Sequence, residues 1–228
     1  MKILRKLLTW VVFPLIIVGL SYAIVDSVMT PVNFNKVKEE REVVAVQRLK
    51  DIRTLQVAYK TAYGRFAPVV DSLKKFYEEG ELEVVMQIGS KDDSLAVSNT
   101  EKLKKRNRRI TPEEMLKLYE AGEKLVFEVK SKVAVNDTLF NNRTDFSIDS
   151  LAFIPFCGDS IIMKSKVKMV SGVKVPLFEV NMPYKSLLKG MDNQLRINLD
   201  DEREDSGRYP GLIVGSVTAP NNNAGNWE

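Results

Sequence analysis

LLTWVVFPLIIVGLSYAIV, residues 7–25, holds nineteen residues without a charge. The chain after it is charged, alternating and largely polar. As a helix rising ~1.5 Å per residue, the run spans about 28 Å, close to the ~30 Å hydrocarbon core of a bilayer. Lys2, Arg5 and Lys6 precede it, and the first acid is Asp26. This asymmetry puts residues 1–6 in the cytoplasm and the bulk of the chain outside, with residues 7–29 as a single-pass anchor in an inner (cytoplasmic) membrane. Trp10 and Tyr22 sit near the two ends, as interfacial aromatics do, and Pro14 is tolerated in a membrane helix. The rival reading is a cleaved signal peptide, for which Ser21-Tyr22-Ala23 offers a small-x-small site. The apolar run continues past Ala23 and exceeds an ordinary signal h-region, which favours the anchor.

The whole chain has 228 residues, 44% of them apolar and 28% charged, with a net charge of +4. That suffices for a core with a soluble surface, and so mild a charge does not call for nucleic acid. With no histidine, the commonest metal ligand and general base is missing. A lone cysteine, Cys157, excludes an internal disulfide and a paired-cysteine zinc site.

Past the apolar run, Thr30-Pro31 is expected to end the anchor, because proline disfavours a helix interior. Asn35 then reads as an N-cap. Val37, Val44, Ala45, Leu49, Ile52, Leu55, Tyr59 and Ala62 recur every three or four residues, an amphipathic helix over residues 33–64 closed by Gly64. Its stripe, represented by Leu49, Ile52, Leu55 and Tyr59, packs either on the protein's own sheet or on a partner helix in an oligomer.

Residues 65–210 read as an α+β domain with an antiparallel sheet and short helices. A short helix covers residues 71–79, and a strand follows at 82–88 with Leu82, Val84, Met86 and Ile88 on one face. Residues 90–111 read as a polar insertion containing six basic residues in eight: Lys102, Lys104, Lys105, Arg106, Arg108 and Arg109. Thr111-Pro112-Glu113-Glu114 is a capping box with proline at the first helical position. A long strand carries Leu125, Phe127, Val129, Val133 and Val135, and a loop over 136–145 follows. A hairpin turning at Ser171-Gly172 sets Ile161, Met163, Val167 and Met169 opposite Lys164, Lys166 and Lys168, and Pro176 makes its return strand an edge or turns the proline nitrogen outward. A last short helix covers 184–189. The acids Asp200, Asp201, Glu202, Glu204 and Asp205 read as a loop, and 211–228 as an extended tail. Val70-Asp71-Ser72-Leu73 with Gly80 echoes Ile148-Asp149-Ser150-Leu151 with Gly158, a two-copy similarity too short for a repeat array.

No catalytic constellation emerges. Cys157 has no histidine to activate it and reads as a buried small apolar residue. The acids 200–205 lack the oxygen spacing and glycine of a calcium loop. Asp92 and Asp93 carry nothing that separates them from surface charge. No cofactor is implied. The basic run is the more distinctive feature. Outside a membrane it suits anionic lipid or an acidic partner, against the plain alternative of a solvated loop.

Over about residues 7–76 the chain resembles the type II secretion pseudopilins and type IV pilins. The resemblance is carried by an apolar helix leading into an amphipathic one, by Asp51-Ile52-Arg53-Thr54-Leu55-Gln56 and Tyr59, and by Tyr63-Gly64-Arg65-Phe66-Ala67-Pro68 with Leu73 beyond. The prepilin-peptidase motif and the glutamate inside the apolar segment are not in this sequence. The resemblance implies a structural or scaffold subunit of a bacterial envelope complex for secretion, motility or filament assembly. Its partners would be the membrane, other envelope proteins and further copies of itself. A tethered binding module is the first alternative, and a carboxylate-dependent enzyme the second.

Overall fold

The structure, a computed structural model, describes residues 8–228. The basic flank with Lys2, Arg5 and Lys6, read above as the cytoplasmic segment 1–6, lies outside the described residues. A π-turn, Leu8–Val12, leads into helix α1, Phe13–Tyr63. At 51 residues, α1 is about 76 Å long. It runs through Pro31 and Asn35, so the expected break at Pro31 and cap at Asn35 are corrected. Proline takes one donor from the helix, the one that would have met the carbonyl of Ser27. Gly64 does end the helix: its φ is +71°, and its N–H donates to the Lys60 carbonyl at 2.8 Å.

Apart from α1's apolar half, the chain is α+β with two small antiparallel sheets. It divides into two compact units, the first comprising Met1–Thr54, Pro68–Val70 and Asp149–Glu228, the second Leu55–Ala67 and Asp71–Ile148.

In the first unit, strands β3 (Ile162–Val170), β4 (Val173–Pro183) and β5 (Gly211–Gly215) form one sheet in that order. Its hairpin closes at Val170↔Val173 over Ser171 and Gly172, both at positive φ as a tight two-residue turn requires. β4 is central where β5 pairs with Glu179–Pro183, whereas Pro176, opposite Val167, lies in the part that β5 does not reach. The edge inferred from Pro176 is therefore local. Met163, Val180 and Phe178 share the inner face, with Val180 and Phe178 fully buried. Toward the turn that face opens: Val167 and Met169 are exposed. α1 contributes Phe34, Ala45, Leu49 and Ile52 to the buried set. Short helix α6 (Tyr184–Leu187) and surface helix α7 (Asn193–Asp205) follow β4.

Residues 200–205, read as a loop, belong to α7, whose N-cap Asp192 accepts from the Leu195 N–H at 2.9 Å. The tail is pinned rather than loose. Gly225 bridges to Val214, and the Asn226 side chain accepts from the Ile213 N–H at 3.1 Å while donating to the Gly211 carbonyl at 2.8 Å.

In the second unit, helix α2 (Val70–Glu79) precedes β1 (Glu81–Ile88), which pairs along its whole length with β2 (Phe127–Ala134). Between them lie α3 (Ser94–Arg106) and α4 (Pro112–Glu120), and after β2 comes the single-turn α5 (Val135–Thr138). The expected insertion over 90–111 is thus largely a helix. Met115, Leu125 and Phe127 centre a core joined by Leu103 from α3 and Ile110. The capping box at Thr111 and Glu114 forms reciprocally. The echo at 70–80 and 148–158 does not survive as structure: the first copy is helix α2, the second a 3-10 turn, Ile148–Ala152.

Candidate functional site

Among the described residues, three faces of helix stand out as surfaces that could meet a partner. The first is the apolar half of α1. Its Leu15, Val18 and Tyr22 are about 70% exposed, and no residue of its most apolar window is buried. By length and composition this helix is compatible with a single transmembrane span.

Farther along α1 the apolar stripe turns inward. Leu49, Ile52 and Leu55, weighed above as either a packing face or a helix interface, are wholly buried within the chain itself. Tyr59 is half-buried, with its ring centroid 4.6 Å from Tyr63 and 5.2 Å from Phe76. Polar side chains fix α1 in the first unit. One Arg41 Nη donates to the carbonyls of Leu187 and Lys189 at 2.9 and 3.0 Å, and its guanidinium lies 5.1 Å from the Phe156 centroid. Arg48 donates to the Phe153 carbonyl, and its burial lowers its pKa against the opposing field of Asp51. The Tyr184 hydroxyl donates to Glu42 at 2.5 Å.

The second face is the basic run. Lys102, Lys104, Lys105 and Arg106 occupy the last turns of α3, Asn107 is its C-cap, and Arg108 and Arg109 follow in a turn. All six are exposed. Their position suits the negative end of the helix dipole, so part of the run is explained by α3 itself. At the other end, Asp93 is the N-cap, accepting from Leu95 and Ala96, which gives it a structural role. The signal for this helix was present as an aspartate before a helical run. It was obscured because α3 buries little besides Ala96 and Thr100.

The third face is the acidic end of α7. Arg196 binds Asp200 within the helix, and burial raises the Asp200 pKa in spite of that arginine. Asp201, Glu202, Glu204 and Asp205 are exposed.

Among the described residues, no group of three His, Cys, Asp or Glu side chains could hold a metal ion. Cys157 is half-buried and hydrogen-bonded rather than a buried apolar residue: its thiol lies 3.7 Å from the Ile154 carbonyl and accepts from the Asp159 N–H at 3.4 Å. A cleft of about 410 Å³ in the second unit is lined by Tyr63, Glu79, Glu81, Glu83 and Lys132. Two of its carboxylates are already engaged, Glu81 with Lys132 at 3.2 Å and Glu83 with Lys130 at 2.6 Å.

Compared with protein-family models, with characterised proteins and with solved structures, the chain matches none.

Proposed function

We propose that the chain is a membrane-anchored structural subunit of a bacterial envelope complex, with a pilin-like layout: an apolar helix half in the inner membrane and an α+β portion outside it. The observation that supports this most is the continuity of α1. One helix carries an apolar, fully unburied half and, beyond Pro31, a half whose stripe is built into the folded portion. A cleaved leader has no use for a rigid connection to the domain it leaves behind. A structural subunit does, since the connection fixes the folded portion relative to the bilayer. The charge order at the start of the sequence orients it with the N-terminus in the cytoplasm.

The test is fractionation with intact-mass analysis of the protein from its native membranes, together with Leu20→Arg. The full-length mass in the membrane fraction is expected. A charge near the middle of the span costs about 2.5–3.5 kcal/mol of insertion and should shift the variant out of the membrane. Recovery of a soluble form lacking the first 23 residues would overturn the anchor.

A further inference from the structure

Two helix ends carry opposite charges. On α3, Lys102, Lys105 and Arg106 stand at i, i+3 and i+4, one exposed face, with Lys104, Arg108 and Arg109 beside it. On α7, Asp201, Glu204 and Asp205 stand at the same spacing on one exposed face, with Glu202 beside it. Among the described residues, none of these side chains takes part in an ion pair.

The two ends differ in local electrostatics. Cations at the end of α3 agree with its dipole, whereas Glu202, Glu204 and Asp205 crowd the end of α7, where the dipole disfavours carboxylates. The two cations of α7 are committed elsewhere: Arg196 holds Asp200, and Arg203 lies 5.2 Å from the Tyr184 ring centroid. Asp201, Glu202, Glu204 and Asp205 are exposed, so packing does not explain why these acids stand there. A local rule broken without a local gain points to a partner that supplies the missing cations.

We propose that the basic end of α3 in one copy docks on the acidic end of α7 in a second copy, setting Lys102, Lys105 and Arg106 against Asp201, Glu204 and Asp205. The matched spacing and opposite sign of the two faces, present in equal number on every chain, favour this over an anionic lipid surface. The two patches are different surfaces, so the contact is heterologous and grows into a ring or a row. The inference deepens the reading of the chain as an assembling subunit by naming its partner.

The test uses the full chain in detergent, with Cys157→Ser to remove the native thiol. Lys105→Cys and Glu204→Cys are placed in separate, differently tagged preparations and mixed under mild oxidation. The expected product is the 105–204 disulfide, formed at about 50 mM salt and reduced several-fold at about 500 mM, where screening is short-ranged. The triple reversal Lys102→Glu, Lys105→Glu and Arg106→Glu should weaken self-association at least about tenfold in sedimentation. Mixing it with the reciprocal reversal Asp201→Lys, Glu204→Lys and Asp205→Lys should restore it. The proposal is overturned by a 105–105 product alone, by no cross-link between variants of native circular dichroism, or by capture of the chain on anionic vesicles through Lys102, Lys105 and Arg106 without a cross-link. Failure here with the full-length mass intact leaves the anchored-subunit reading standing. A cleaved chain that still gives the 105–204 product sinks only the anchor.

Discussion

The Tyr184 hydroxyl donates to the Glu42 carboxylate at 2.5 Å, joining the residue after β4 to the middle of α1 across 142 positions of sequence. The ring is fully buried. Burial, and then the negative charge of Glu42, raise the Tyr184 pKa above its ordinary value near 10.0. Burial also raises that of Tyr209, helped by Glu179 and Asp200. The folded state therefore holds these protons more tightly than the unfolded chain. The stabilisation is complete below the unfolded pKa and is lost as pH climbs past about 10 toward the folded values.

The first prediction follows from that sign. Tyr184→Phe should cost about 1–2 kcal/mol near neutral pH, because a buried partner of Glu42 is removed. It should also flatten the fall in urea-unfolding free energy between about pH 10 and 11. Equal pH slopes in the two proteins would refute the assignment.

The second concerns the pinned end of the chain. Asn226 covers two backbone groups of β5, the Ile213 N–H and the Gly211 carbonyl. Asn226→Ala should destabilise the protein by about 1–3 kcal/mol and speed hydrogen exchange at the Ile213 amide. Unchanged exchange there would mean that the tail does not cover β5.

How far the sequence reveals the fold depends on what each element buries. The β3–β4 hairpin, α2, the Thr111 capping box and Gly64 are readable because each carries either a burial period or a strict backbone signal. α7 is harder to read, because it fully buries no residue: its Leu195, Ile197 and Leu199 are only half-buried, and its last turn is a dense run of acids. α3 fails for a milder form of the same reason. Pro31 misleads in the opposite direction. Proline's effect is local, and a helix continued by apolar residues on one side and a packed stripe on the other outlasts the loss of one hydrogen bond. For the stripe at Leu49, Ile52 and Leu55, periodicity says only that a face is covered. Whether the cover is the chain itself or a partner is a tertiary fact that no pattern on one helix contains.

Continuity through Pro31 is itself testable. Amides of residues 32–38 in the detergent-solubilised chain should exchange slowly, as helix-bonded amides do. Pro31→Ala should slow them further, since alanine restores a donor and is favoured over proline in a helix by about 3 kcal/mol. Fast exchange across this stretch in the unaltered chain would mean two helices and restore the break at Pro31.

The capping box gives a prediction confined to the second unit. Thr111 Oγ1 accepts from the Glu114 N–H at 3.2 Å, and Glu114 returns the bond to the Thr111 N–H at 3.1 Å. Thr111→Ala should cost about 1 kcal/mol and loosen the first turn of α4 in hydrogen exchange, while Thr111→Ser should retain most of both. Equal behaviour of the two variants would show that the box does not hold α4.

The last prediction separates a core from an interface on one helix. Leu49 and Ile52 are wholly buried, and Val43, six and nine residues before them on α1, is 70% exposed. Leu49→Ala or Ile52→Ala should cost about 2–5 kcal/mol, the methylene loss plus the cavity left behind. Val43→Ala should change stability by no more than about 0.5 kcal/mol, since it removes only exposed surface. The discriminating variable is protein concentration. A core residue acts within one chain, so its cost is the same at every dilution. An interface residue contributes through association, so its cost shrinks as the complex dissociates. Unfolding of the solubilised chain over about a hundredfold range of concentration should therefore leave the Leu49→Ala and Ile52→Ala losses constant. A loss that fades on dilution would return these two residues to a partner helix, and the covered face of α1 would then be shared between copies.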